Sequence, residues 1–414
     1  MSEKVQTQSN PTNERGLRWT LIALCLTQIT SWGVLYYAFS VLSVRISART
    51  GWSPPAVTAA FSGGLVTSAL VGVIVGRWLD RHGPRGVMTA GAVAGPLAVV
   101  GVALAPTFPW FVAAWIAAGV AMAAVLYPPA FAALTRWFGP RHVGALTILT
   151  LVAGLSSTVF APLTAALADR LDWRTTYLAL AALLAAVTIP AHFFGLRHPW
   201  PAAPGLHISE PPSRITRSRP FVALAVALTV AVLASYSVIV NLVPLMTEHG
   251  IDARMSATAL GLGGIGQVFG RLGYRTLIAR FGIRARVASI LAGVAVTTAL
   301  LGIFSSVVPL IVMAILAGFV RGIMTLLQAT AVTERWGHTH YGHLNGVLSA
   351  PVTLATATSP WIGAALASWF GGYGLMFIAL GAFGALGAVI GLASVPARSD
   401  DSDVPHLSPS AHAD

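Results

Sequence analysis

The feature that most constrains this chain is a row of apolar blocks, each about 20 to 28 residues long, separated by short loops rich in Arg, Gly or Pro. A bilayer core ~30 Å thick is crossed by ~20 apolar residues at about 1.5 Å each, so every block has the length of one membrane span. Only 9% of the residues are charged and 56% are hydrophobic. A soluble fold of that composition would need nearly every helix to be apolar all round, which no water-facing surface allows.

Twelve spans are expected, at 18–44, 55–79, 86–105, 109–134, 143–168, 174–195, 220–246, 255–279, 285–305, 308–332, 342–367 and 373–395. The one long internal linker divides them six and six. The expected fold is therefore all-α integral membrane, with twelve transmembrane helices in two pseudo-symmetric six-helix bundles. Its parts are a cytoplasmic N-terminal tail (1–17), a first bundle (18–195), a cytoplasmic linker (196–219), a second bundle (220–395) and a disordered cytoplasmic tail (396–414). The polar start lacks the short apolar core of a cleavable signal peptide. A single cysteine, Cys25, excludes a disulfide within the chain.

The net charge of +12 invites a nucleic-acid reading, but its distribution argues against one. Cytoplasmic flanks of spans collect Lys and Arg. With both termini cytoplasmic, the inner flanks hold eighteen basic residues and the outer flanks five, namely Arg45, Arg49, Arg170, Arg174 and Arg254. The basic charge is thus a topology signal. A single Lys amid abundant Ala, Gly, Val and Arg suggests a GC-rich bacterium, hence its plasma (inner) membrane.

The two halves echo each other at an offset of about 199 residues. Arg81-His82-Gly83-Pro84-Arg85 matches Arg280-Phe281-Gly282-Ile283-Arg284, and Arg136-Trp137 matches Arg335-Trp336. Gly144 and Pro162 match Gly342 and Pro360 with a one-residue slip. Repeated halves suit a transporter, because a site between two similar bundles can be exposed to each side in turn.

The segment from Gly76 to Gly86, GRWLDRHGPRG, resembles the cytoplasmic loop signature of the major facilitator superfamily. A degenerate second copy follows span eight, with Ala279 where Asp80 would stand. Within that superfamily, three stretches resemble the monocarboxylate porter and oxalate/formate antiporter branch. They are Ser31-Trp32-Gly33, Arg136-Trp137-Phe138 through Ala153-Gly154, and Gln267-Val268-Phe269-Gly270-Arg271. The resemblance implies a gating role for Asp80 and a substrate-binding role for Arg271. It also implies an aspartate where this chain has Gln267. On physical grounds Gly76 is expected to let helices approach closely and Gly83 to form a tight turn at positive φ. Asp80, at a cytoplasmic helix end, can accept from Arg81 or Arg85 or sit at the N-terminus of a neighbouring helix, and a topogenic basic loop with a solvated charge pair is the alternative to gating.

Two cations, Arg271 and Arg321, fall inside spans, and no Asp or Glu does. An intramembrane cation costs ~2.5–3.5 kcal/mol on insertion scales and is by default a functional site. Guanidinium binds carboxylate in a bidentate fork, so a small organic anion is the natural guest. The structural alternative has each arginine bonded to helix carbonyls, or Arg321 reaching Glu334. Tyr37, Asn241, Tyr127, Gln267 and Gln28 are the polar residues placed to complete such a site, and interhelical bonding is their alternative role. His192 reads as a snorkelling or lipid-facing residue. His142, His338, His340 and His343 read as a solvated loop, not a metal site.

The function expected is a secondary active or facilitative transporter working by alternating access, carrying a small organic anion such as a monocarboxylate. It is expected to act as a monomer in the lipid bilayer, with no cofactor and no nucleic-acid partner. A proton-driven exporter of drugs or other hydrophobic compounds is the alternative within transport. A non-transporting membrane sensor is the alternative of another class. An intramembrane enzyme is set aside, since no nucleophile–base set, acidic pair or zinc-binding helix motif is present.

Overall fold

A computed structural model describes residues 11–139, 142–200, 213–336 and 341–395. Among them the chain forms twelve long helices joined by short turns. The first six are α1 (Arg15–Thr50), α2 (Pro54–His82), α3 (Pro84–Ala103), α4 (Phe108–Phe138), α5 (Gly144–Ala168) and α6 (Trp173–Gly195). The second six are α7 (Arg219–Glu248), α8 (Ala253–Arg280), α9 (Ile283–Ile303), α10 (Val307–Thr330), α11 (Tyr341–Phe370) and α12 (Tyr373–Gly391). Ten are long and apolar enough to cross a membrane by length and composition. The other two are α8, diluted by Arg254, Arg271, Arg275 and Arg280, and α11, rich in Ser and Thr.

The helix starts follow from local chemistry, and they repeat. Ser53 accepts from the Ala56 N–H ahead of Pro54-Pro55, and Asp252, about 199 residues later, accepts from the Met255 N–H. Side-chain acceptors of this kind satisfy the free N–H groups of a first turn. Between α2 and α3, Gly83 sits at φ +80°, as its tight turn requires, and Pro84 opens the next helix. The expected end of α1 at residue 44 falls short. The helix runs on to Thr50 and stops at Gly51, at φ +74°.

Within each half, two helices touch backbone to backbone. A Cβ on Gly119 of α4 would collide with the Gly64 carbonyl of α2, and a Cβ on Gly318 of α10 with that of Gly263 on α8. Both glycines of the second pair lie about 199 residues beyond those of the first, so the repeat extends to the closest helix contacts. Small residues at such crossings are how membrane helices gain packing without a hydrophobic drive.

The halves meet along three helix pairs, α2 with α11, α5 with α8, and α1 with α7. Leu70, Val73, Leu97, Val308 and Leu386 stand exposed on the outside, while Gln28, Ser31, Asn241, Arg271 and Arg321 are buried within. That inversion of the soluble pattern is the one a lipid solvent imposes. His192 departs from expectation. It is wholly buried on α6 and faces protein, so it neither snorkels nor meets lipid.

Candidate functional site

Arg321 of α10 and Gln267 of α8 face each other across the glycine crossing. Arg321 donates from Nε and Nη2 to the Gln267 Oε1, both at 3.2 Å. The crossing makes this reach short, because a Cβ on Gly322 would collide with the Gln267 carbonyl. The alternative in which Arg321 reaches Glu334 is not realised. Glu334 pairs instead with Arg286, which the charge count treats as a flank residue but which is buried beside Tyr274.

Arg271 lies one turn beyond Gln267 and crosses to the other half. Its Nη1 donates to the Thr150 carbonyl of α5, and it engages the Tyr127 hydroxyl of α4. Gly154 makes room for it, since a Cβ there would stand 3.1 Å from that Nη1. Its Nε is buried without a partner. Arg271 is 8% exposed and Arg321 4%, and neither forms an ion pair among the described residues.

Facing these guanidiniums is a wall of aromatic rings. Trp32 packs on Tyr36 at 5.4 Å and on Tyr127 at 5.0 Å, and Tyr36 on Tyr37 at 5.4 Å. Tyr36 lies within the field of Arg321, and Tyr127 within that of Arg271. Tyr236 of α7 lies within the field of both and of Tyr37. The wall is shaped by a π-helical turn, Gly33–Tyr37, in mid-α1. Such turns insert an extra residue, re-aim the side chains that follow, and recur at functional sites. A Cβ at Gly33 would collide with the Phe160 ring of α5. The buried Tyr36 hydroxyl and Trp32 Nε1 have no partner.

Two expected site residues are engaged elsewhere. Gln28 donates from Nε2 to the Val125 carbonyl at 2.6 Å. Pro129 lacks the N–H that would bond this carbonyl four residues back, so α4 breaks there and Gln28 fills the gap. Asn241 donates to Ser237 of its own helix and packs on Gly363 of α11. Tyr37, Tyr127, Gln267, Arg271 and Arg321 are brought together, and Tyr236 joins them unanticipated.

Of the loop signature, the Asp80 side chain lies outside the described residues. Gly76 does not serve close packing, for a Cβ there would meet open space. Arg81 is exposed, and Arg85 donates to the Phe193 carbonyl of α6 at 3.1 Å. Gly83 lies under the Trp200 ring, whose carbon a Cβ would approach to 3.1 Å. His338, His340 and the His343 side chain also lie outside the described residues. Among the described residues no group of three metal-ligating side chains occurs.

On the face opposite the N-terminus, three helix ends converge. Asp169, at the end of α5, accepts from the Arg45 Nη2 of α1 at 2.7 Å. It also accepts from Nη2 and Nε of Arg254 of α8, at 2.9 and 3.1 Å. Burial would raise the Asp169 carboxyl, but hydrogen bonds from Arg254 and Arg45, with their charges, outweigh it and hold it below the ordinary carboxylate range. The sequence reading places Arg45 and Arg254 only as outer-flank charges and assigns Asp169 no role.

Twelve helices in two like halves, with polar groups gathered between them, are the build of a polytopic membrane transporter. The Major Facilitator Superfamily profile matches residues 24–307 and 276–413, and the chain belongs to that family. Rat monocarboxylate transporter 13 is 26% identical over 376 residues, 87% of this chain and 83% of that one. The uncharacterized MFS-type transporter YcxA of Bacillus subtilis is 27% identical over 136 residues, a stretch covering 33% of each chain. In fold, the chain is similar to a bacterial homolog of the human lysosomal transporter Spinster in its inward-facing, unoccupied conformation. The TM-score is 0.74 at 14% identity, over 93% of this chain and 98% of that one. The nucleoside transporter NupG has a TM-score of 0.77 at 12% identity, over 91% and 99%.

Proposed function

We propose that this transporter carries a small organic anion, with monocarboxylates the first class to test, by alternating access between its two halves. The observation that carries the reading is the pair of buried arginines, Arg271 and Arg321, neither of which has a carboxylate partner among the described residues. A buried cation without a counter-charge is costly, and an anion bound between the halves would supply it. Arg271 bonds to one half and belongs to the other, so an anion drawn to it would bear on both. The likeness to monocarboxylate transporter 13 along most of the chain supports the same class.

In this reading both termini lie in the cytoplasm of a bacterial plasma membrane, the protein acts as a monomer, and the Asp80 loop gates the cytoplasmic side. The aromatic wall of Trp32, Tyr36, Tyr37 and Tyr127 is the one observation on the side of a hydrophobic-compound exporter.

Uptake of labelled carboxylates into proteoliposomes decides between them. The anion reading expects uptake by the native chain and its loss in Arg271→Ala, with the variant still folded. Undiminished transport of every carboxylate by that variant would sink the assignment. Stabilisation by apolar drugs alone would favour export.

A further inference from the structure

At the face that carries the N-terminus, the first turns of α1 and the last turn of α6 enclose a groove of about 330 Å³. Gly16, Trp19 and Thr20 line one side, and Phe194, Arg197 and His198 the other. Nothing in the transport reading uses it. We propose that this groove binds the phosphate headgroup of an anionic phospholipid.

Three observations carry the assignment. The first is charge held in place. Arg197 lies over the Phe194 ring at 4.7 Å and the Phe193 ring at 5.6 Å, while Arg85 lies over Phe193 at 4.7 Å. Contact with the rings holds both guanidiniums at this face; Arg85 spends its Nε on the Phe193 carbonyl, and the fork geometry of Arg197 suits phosphate oxygens. Arg15 and Arg18 stand exposed on the same turns of α1, and among the described residues no carboxylate pairs with any of these four arginines.

The second is the company of the charge. Trp19 is 64% exposed and Phe194 59%, and they flank the groove at the first turns of α1 and the last turn of α6. Aromatic rings beside basic residues mark the headgroup level of a bilayer, with acyl chains on one side and water on the other. The third is the floor. A Cβ on Gly16 would collide with the His198 ring, so glycine there keeps that imidazole seated in the groove. A basic, aromatic-rimmed slot at this depth fits a phosphodiester with acyl chains attached. A soluble phosphate would draw nothing from the rings.

The test uses the full chain in neutral detergent with phosphatidylglycerol, phosphatidylcholine or inorganic phosphate as the probe. Co-purifying lipid and the thermal midpoint are read in the native chain, Arg197→Gln and Trp19→Ala. The proposal expects phosphatidylglycerol to be retained and to raise the midpoint, and phosphatidylcholine and inorganic phosphate to do neither. Arg197→Gln should weaken phosphatidylglycerol about fivefold, the weight one basic residue carries near an anionic surface. Trp19→Ala should also weaken phosphatidylglycerol, since it removes one of the two rings that flank the groove. Equal retention by the native chain and Arg197→Gln would overturn the proposal, as would an equal shift with inorganic phosphate. A groove filled by the chain's own terminal residues would give the first of these results.

Discussion

Arg321 donates two hydrogen bonds to a single oxygen of Gln267, which orients the guanidinium and leaves its charge uncancelled. A carboxylate at that position would orient the guanidinium and cancel its charge as well. Gln267→Glu is therefore expected to form a bidentate pair with Arg321 and to lower anion affinity by tenfold or more, the scale of one charge-assisted interaction. Gln267→Ala should weaken binding less, since it frees the guanidinium without neutralising it. Ligand-induced thermal shifts for both variants, with a carboxylate as ligand, check the order. A Gln267→Glu protein that binds anions as well as the native chain would contradict the argument.

Gly154 offers a test of Arg271 that leaves the arginine in place. A Cβ at residue 154 would sit 3.1 Å from Nη1, closer than ordinary packing allows. Gly154→Ala should push the guanidinium off the Thr150 carbonyl and reduce transport severalfold, with folding preserved. Arg271→Lys should fare no better than Arg271→Ala, because a point charge cannot replace a planar fork that bonds a carbonyl and a carboxylate at once. Initial uptake rates at matched protein levels provide the measurement.

Much of this architecture was legible in the order of residues. Block length called for spans, and the offset that pairs Gly83 with Gly282 also pairs Gly64 with Gly263 and Gly119 with Gly318 at the helix crossings. The site was half legible. An arginine inside an apolar run can be found by inspection, but its partner depends on how two helices face. Gln28 takes the interhelical role open to it, because Pro129, on another helix, leaves the Val125 carbonyl unbonded, and that pairing is visible only in the fold. The π-helical turn that re-aims Tyr36 and Tyr37 has no residue signature, and Tyr236 gains meaning only from its neighbours across the halves. Gly76 was read as a packing glycine, yet it faces open space.

Arg286 and Glu334 form a buried ion pair between α9 and the turn after α10, with side-chain exposures of 4% and 19%. Removing one partner of such a pair leaves an uncompensated buried charge, at a cost of about 3–5 kcal/mol. Glu334→Gln is accordingly expected to lower the thermal midpoint markedly. The double variant Arg286→Met, Glu334→Gln should recover most of that loss. Thermal melts in detergent distinguish the pair from a bystander, for which the single variant would melt like the native chain.

Asp169 ties α1 and α5 of the first half to α8 of the second. A carboxyl held below its ordinary value of 3.8 stabilises the tied state wherever it is ionised. That contribution is complete above the ordinary value and is lost only as the pH falls through the lowered one. The tie should therefore be constant from about pH 5 to pH 8, and neutralisation by mutation is the way to break it. Only the Arg254 pair crosses between the halves, and a partly exposed pair of this kind is worth ~0.2–1 kcal/mol, so Asp169→Asn should shift the balance towards opening on this face by up to about fivefold. Labelling of a cysteine introduced at Thr58, which lines the cavity between the halves on this face, reports the opening. Expressed relative to a free thiol at the same pH, because only the thiolate reacts, labelling that rises in Asp169→Asn and is flat with pH in the native chain is the expected pattern. A native labelling rate that climbs steadily between pH 8 and pH 5 would show that a group other than Asp169 holds this face together.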